Sequence, residues 1–504
     1  MGNEPRKKKS EEASPSKEGL NHRVKAVNCK FVNVMQTTRK RVVKQLELFP
    51  EKPTTAPESE GYGVPMSQAL MRRLEKRSKY VEERALSGNM MEEVASHHNL
   101  LRAYRRVVSN GGSAGVDGMQ TQELKTWFRI NYAVMREQLL SGKYRPQTVL
   151  SVEIPKPNGG KRLLGIPTVV DRLIQQAIQQ VMARQYEPTF SDESYGFRPK
   201  RNCHQALQRA TSIMAEGKGY VIDLDLEKFF DEVNHSRLMS RLSKRIGDKR
   251  ILKLIHLYLK SGLMQGGVIC QRIKGTPQGS PLSPLLSNIV LDELDKELET
   301  RGLKFVRYAD DVKILAGSQK AAERIKTGIT LYIEDTLKLK VNEQKSRICR
   351  GYELNFLGHC LLYNNKIGLS RTTESRLKEK IINITQRNRG VSFNEILKEL
   401  TYLLRGWHQY FRYAEMHSKI LKIDSWIKRR LRCFRLKQCK RAIGIVRFLR
   451  KEGVEEKLCW RTALSGKGWW RLSNSPATHI GMNEAWFTKQ GYYSLSANYK
   501  RYKL

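Results

Sequence analysis

Asp310 and Asp311 stand side by side in Lys304-Phe-Val-Arg-Tyr-Ala-Asp-Asp-Val-Lys-Ile-Leu315, between two β-rich runs. The segment reads as strand, tight turn, strand, with both acids at the bend. Adjacent carboxylates repel. Either water solvates both, or a divalent cation with hard oxygen ligands cancels the repulsion. Alone, the pair reads as a solvated turn. A second acidic run, Tyr220-Val-Ile-Asp-Leu-Asp-Leu-Glu-Lys-Phe-Phe-Asp231, alternates strictly. Ile222, Leu224 and Leu226 face one way, and Val221, Asp223 and Asp225 the other. Carboxylates on a half-buried strand are unfavourable unless paired or metal-bound. If Asp225 lies opposite Asp310 and Asp311, the three acids can hold two Mg²⁺ ions. One ion then activates an attacking 3′-oxygen and the other steadies a leaving pyrophosphate. Asp223, about 7 Å from Asp225 along the strand, takes a supporting role.

Two further segments carry groups suited to a nucleotide. Gly275-Thr-Pro-Gln-Gly-Ser-Pro-Leu-Ser-Pro284 is a stiff, exposed loop before a helix, with Gln278 in it. Its amide suits a base or sugar; taken alone the segment is a plain helix-entry loop. Ile154-Pro-Lys-Pro-Asn-Gly-Gly-Lys-Arg-Leu-Leu-Gly-Ile-Pro167 reads as a hairpin turning at Asn158-Gly159-Gly160. Its Lys156, Lys161 and Arg162 can fold over a triphosphate, with Arg binding bidentately. A solvated basic turn fits the same residues.

The elements that must hold these residues in place are legible in outline. The chain has 504 residues with a net charge of +42 and an apolar fraction of 39%. That is ample for a buried core beneath a very basic surface, and it makes nucleic acid the leading partner. No apolar run reaches membrane-spanning length, so a membrane role is not expected. No apolar stretch follows the basic start, so a secretory signal is not expected either. The eight cysteines lack C-x-x-C pairs, which argues against a disulfide scaffold or zinc module and favours a reducing cytoplasm. Periodicity predicts helices over 67–108, 168–190, 203–215, 282–300 and from 373 to about 451. It predicts hairpins over 144–165 and 303–317 and a strand over 220–226. Residues 1–65 read as a weakly ordered basic extension, either a solvated tail or an RNA-gripping arm.

In combination, these segments resemble a reverse transcriptase of the group II intron type. The resemblance rests on Ala114-Gly-Val-Asp-Gly118, the Lys156–Pro167 hairpin, Ser194-Tyr-Gly-Phe-Arg-Pro199 and His204-Gln205-Ala206. It continues through Asp225–Phe230, Thr276–Pro284, Tyr308–Asp311, Asn342-Glu-Gln-Lys345 and Phe356-Leu-Gly358, all in the family's order. It implies an α+β fold: a right-hand polymerase with fingers, palm and thumb, an antiparallel palm sheet, a helical thumb or maturase domain and a small basic C-terminal domain. The implied boundaries are 1–65 for the extension, 66–365 for fingers and palm, 366–450 for the thumb and 451–504 for a basic, aromatic, nucleic-acid-binding C-terminal segment. Asp225, Asp310 and Asp311 correspond to the family's metal-binding acids, with the Leu226 main-chain carbonyl as a further ligand. The implied cofactor is a pair of Mg²⁺ ions, with Mn²⁺ as substitute. Lys156, Arg162, Phe230, Gln278 and Lys345 correspond to the nucleotide pocket. Within it Phe230 is a steric gate against ribose, and Lys345 is either an acid for the leaving pyrophosphate or a surface charge.

The implied activity is RNA-directed DNA synthesis, with intron splicing and retrotransposition as its setting in a bacterial cytoplasm. An RNA-binding maturase and a host-serving defence enzyme are the alternatives. The implied partners are an RNA template, structured intron RNA, primer or target DNA and dNTPs. In the thumb, Ile396, Leu400, Leu403, Leu404, Trp407 and Phe411 form a core stripe. Arg405 lies off it, and Lys428, Arg429, Arg430, Arg432 and Arg435 form a dense basic run suited to RNA phosphates. Arg198 joins them as an RNA contact. Trp469 and Trp470 read as core, and Tyr492-Tyr493 fits either stacking or core. The family's frequent C-terminal HNH nuclease is not expected, because no C-x-x-C pair follows the thumb.

Overall fold

In the computed structural model, residues 89–155, 159–265, 268–362 and 366–501 are described. The extension over 1–65, the start of the 67–108 helix and Lys156 lie outside them. The described residues belong to one contact unit.

Helix α1 (His97–Asn110) is capped by Ser96, whose hydroxyl accepts from the Asn99 amide. Strands β1 (Val149–Pro155) and β2 (Lys161–Ile166) pair antiparallel from Leu150↔Ile166 to Pro155↔Lys161. Gly159 and Gly160, just before β2, both hold positive φ, which glycine adopts without strain. Helix α2 (Val169–Tyr186) is buried nearly all round, from Val169 to Tyr186, and forms the spine of the first core. Helix α3 (Cys203–Ala215) starts with a reciprocal box in which Asn202 and Gln205 satisfy each other's backbone.

Strand β3 (Tyr220–Leu224) is one of two interior strands of an antiparallel sheet. Short strands β4 (Leu263–Gln265) and β5 (Val268–Cys270) extend the β2-β1 hairpin into a second sheet, in the order β2-β1-β4-β5. Helix α4 (Ser283–Thr300) precedes the hairpin of β6 (Lys304–Tyr308) and β7 (Asp311–Ala316). Strand β8 (Arg347–Arg350) completes the first sheet in the order β6-β7-β3-β8. Ile222 and Leu224 belong to one core, while Val221, Val306 and Leu315 belong to another with α3. The sheet is therefore covered on both faces, more completely than the one-sided alternation of β3 implies.

Strands β9 (His359–Leu361) and β10 (Ile367–Leu369) form a small ribbon leading to helices α5 (Phe393–Phe411) and α6 (His417–Gln438). The core around these helices runs from Leu369 to Tyr499. It includes Trp486, Phe487, Tyr492 and Leu495. The 450/451 boundary thus separates no independent core: the tail's aromatics close the helical one. Tyr492 is buried and donates to Asp424 at 2.6 Å, and Tyr493 bonds His408. Trp470 departs from its reading as core. It is 38% exposed, with the Arg429 guanidinium 4.1 Å from its ring centre. No described helix is long and apolar enough to cross a membrane.

Candidate active site

Two backbone devices bring the acids together. The β6–β7 hairpin closes with Tyr308 opposite Asp311, leaving Ala309 and Asp310 at the bend. Ala309 takes positive φ (60°), as a two-residue turn requires. Strand β3 pairs with β7 so that Leu224 faces Val312. One step further, the same register sets Asp225 beside Asp311. Beyond β3 the chain is pinned from the other side. The Asn342 amide donates to the Asp225 carbonyl and the Glu227 amide to the Lys340 carbonyl, both at 2.8 Å. Between these bonds the peptide groups of Leu226 point away from the 340–342 segment.

Asp225, Leu226 and Asp310 line one cleft of about 2120 Å³. Burial pushes the Asp310 carboxyl above the ordinary carboxylate range, and the Asp225 charge adds to this. Arg162 and Lys313 oppose it. The ionised form of Asp310 therefore carries its charge at a cost that a cation beside it would relieve. Two carboxylates and a main-chain carbonyl are the hard oxygen donors a divalent cation prefers, so these residues fit such an ion.

Asp311 is placed differently. Its carboxylate is paired with the Lys313 ammonium, which also holds Asp223. Burial pushes Asp311 up as well, with Lys313 opposing. Lys313 is itself buried; Asp311 and Asp223 outweigh that desolvation and hold its pKa above the ordinary value. Among the described residues, no three His, Cys, Asp or Glu side chains converge into a ready cage.

The same cleft collects Arg162, Phe230, Gln278, Asn342 and Lys345. The Lys345 ammonium lies 3.5 Å from the Asp225 carboxylate, and 68% of its side chain is exposed. Phe230 packs edge-on against the buried Phe229, ring centres 5.4 Å apart. The loop carrying Gln278 is fastened at several points. The Thr276 amide donates to the Phe230 carbonyl (2.6 Å), the Gly165 amide to the Gln278 carbonyl (2.8 Å) and the Ser280 hydroxyl to Gln175 (2.6 Å). Gly279 has φ +121°, and a Cβ there would meet the Gly165 carbonyl oxygen at 2.5 Å. The hairpin and the loop thus meet backbone to backbone beside the cleft.

Sequence reasoning missed the framework behind the bend. The Arg307 side chain is fully buried; it donates to Asp295 (2.7 and 2.5 Å), to Asn288 (2.9 Å) and to the Ala309 carbonyl (2.9 Å). Asn288 in turn donates to the Gly196 carbonyl at 2.9 Å. A side chain at Gly196 would strike the Ala309 backbone. The signal was present: an arginine within the apolar run Phe305-Val306 and an aspartate on the inner side of α4.

Several residues read as RNA contacts belong to the interior. Arg198 is buried, ion-paired with Glu187 at 2.8 Å and bonded to the Ser194 carbonyl at 2.8 Å. Lys428 is buried between Glu484 (2.6 Å) and Asp424 (3.3 Å), and buried Arg432 donates to the Met482 carbonyl. The reason is that α6 is a 22-residue helix enclosed by the tail, so its basic run had no single outward face. Arg430 bonds Thr385, and Arg435 lies 4.6 Å from the Phe448 ring centre. Arg429 donates to the Trp470 carbonyl, and Arg405 is exposed beside Tyr493.

Comparison with known proteins adds the lineage. Residues 154–361 match the reverse transcriptase (RNA-dependent DNA polymerase) family, and residues 374–453 match the group II intron maturase-specific domain. Protein YkfC of Escherichia coli is 33% identical over 339 residues, covering 59% of this chain and 88% of that protein. Group II intron-encoded protein LtrA of Lactococcus lactis is 29% identical over 354 residues, covering 56% of this chain and 57% of LtrA. A retron reverse transcriptase of Myxococcus xanthus is 27% identical over 248 residues, 46% of this chain and 55% of that protein.

Proposed function

The chain belongs to the reverse transcriptases of the group II intron type, and from that premise we propose that its cleft extends a DNA primer with dNTPs on an RNA template. Divalent ions serve this family. Here two Mg²⁺ ions, or Mn²⁺ in their place, would be held by Asp225, Asp310 and the Leu226 carbonyl, with Asp311 at their margin. When bound, such ions favour the ionised primer 3′-oxygen and offset charge on the leaving pyrophosphate. Arg162 steadies the triphosphate by charge-assisted hydrogen bonds, Lys156 joins it, and Gln278 contacts the base or sugar. Phe230 stands where a ribose 2′-hydroxyl would clash. Lys345, beside Asp225, gives a proton to the departing pyrophosphate.

The observation that carries this reading is the meeting of Asp225 and Asp310 in one cleft, where the Asp225 charge adds to the cost of ionising Asp310. They are far apart in the chain, and a protein that merely bound RNA would have no use for their repulsion. Primer extension on an RNA template with dNTPs tests it. Wild type extends and Asp310→Ala does not; equal extension by both refutes the assignment.

Residues 374–453 add the maturase part. We assign the helical region 366–450 to gripping structured intron RNA, for splicing and for retrotransposition into target DNA. The exposed Arg405 and the half-exposed Arg429 remain available for phosphates, with Trp470 offering a stacking surface beside Arg429.

A further inference from the structure

Lys313 occupies an unusual place. Its strand neighbours Val312, Ile314 and Leu315 are buried and apolar, and only 3% of its own side chain is accessible. An ammonium is costly there unless paired. It is paired twice. Strand register sets Lys313 directly across from Asp223, and Asp311 lies two residues back on the same face. The Phe356 ring closes over the ammonium, 5.6 Å from ring centre to nitrogen. On the far side of Asp223, Arg347 approaches to 3.8 Å with most of its side chain in solvent. One buried cation thus serves two anions, and one of these is the cross-strand neighbour of Asp225.

We propose that Lys313 is a built-in counter-charge that sets how tightly the acid cluster holds divalent cations, with Asp223 regulating its strength. This rests on Asp225 and Asp310 as the cation-holding pair. Lys313 draws the Asp311 carboxylate inward, away from the cleft. Asp223 competes for the same ammonium and so limits that pull. Lys313 does not line the cleft; it is a positioning residue acting through Asp311.

The two partners give opposite signs. Lys313→Met releases Asp311 and leaves its full charge beside Asp225, so cations bind more tightly. Asp223→Asn leaves the whole ammonium to Asp311, so cations bind more weakly. A residue that merely filled the sheet would shift both variants in one direction, because each loses the same buried contact.

The experiment titrates Mn²⁺ into the full chain without nucleic acid, reading bound ion by electron paramagnetic resonance and the Mn²⁺-induced rise in melting temperature. Lys313→Met should tighten Mn²⁺ at least about fivefold and Asp223→Asn weaken it at least about threefold, modest values for a unit charge several ångströms away at an effective dielectric near 20. Shifts in the same direction, or no shift, overturn the proposal. If Lys313→Met does not fold, the near-isosteric Asp223→Asn decides alone: unchanged or tighter binding overturns it. Asp225→Asn and Asp310→Asn separate the two levels. Retained Mn²⁺ binding in these would defeat the cation-site reading itself. Lost binding there with unmoved Asp223→Asn would defeat only the role of Lys313.

Discussion

Arg307 grips Asp295 with two hydrogen bonds, at 2.7 and 2.5 Å, and neither side chain exposes any surface to solvent. The same guanidinium holds the carbonyl of Ala309, the residue before Asp310. The ion pair therefore fixes the bend on which the cleft depends. Removing one member of a buried pair leaves the other charge uncompensated, at a cost of about 3–5 kcal/mol. Asp295→Ala should lose about that much stability in urea unfolding. Asn288→Ala, which removes a neutral link, should cost about 1–3 kcal/mol and lower primer extension more than the stability loss accounts for.

Phe230 projects into the cleft from a short helix that follows Asp225. Phe230→Ala should raise ribonucleotide insertion relative to deoxynucleotide at least about tenfold, within the range that one added group costs against a fixed wall. Single-nucleotide insertion with dNTP and NTP in parallel reads this directly. Unchanged selectivity would remove the gate assignment.

His359 supplies a pH dependence. Burial lowers its pKa from the ordinary 6.5 to about 4, only partly opposed by its bond to the Leu357 carbonyl. The unfolded chain takes up a proton near pH 6.5 that the folded chain refuses until about 4. Stability is therefore lost as pH falls through that window. Between pH 7 and 5 the loss from this group is about 2 kcal/mol. His359→Gln should flatten the slope by that amount, measured as the difference in unfolding free energy at the two pH values. The ring packs on Phe411 of α5 at 4.8 Å between centres, so the loss falls where the sheet region meets the helices.

The basic surface predicts steep salt dependence. RNA affinity should fall by about 10³–10⁵ between 50 and 200 mM salt if six to ten phosphates are contacted. Arg405→Ala should make that slope shallower by about one phosphate contact. Lys428→Ala should leave the slope alone and instead lower the melting temperature, because its charge is spent on Glu484 and Asp424. Fluorescence anisotropy across a salt series separates the two behaviours.

Local pattern carried the hairpins and the order of the elements. Turn residues such as Gly159-Gly160 and the alternation around Asp225 are short-range signals, and the structure places the strands where those signals lie. The resemblance supplied the polymerase architecture that the family match and the antiparallel sheet share. What remained hidden depends on contacts between distant segments. The loop at Gly196 resting on Ala309 is one example, and the carboxylate of Asp311 turning to Lys313 is another. The basic run 428–437 misled for a related reason. Charge density records how many cations a helix carries, whereas exposure depends on what packs around it. Here Glu484 and the Met482 carbonyl were waiting beyond the stretch in view.

The aromatic tail makes the protein hard to shorten. Trp486, Phe487, Tyr492, Leu495 and Tyr499 plug the interior around α5 and α6. Clipping the chain after Lys451, where the maturase match is nearly complete, would leave those helices with a bare greasy trench. A truncated form of that kind would arrive sticky and clump before its polymerase half could be assayed. Anyone trimming this enzyme to a smaller tool must find the saving elsewhere.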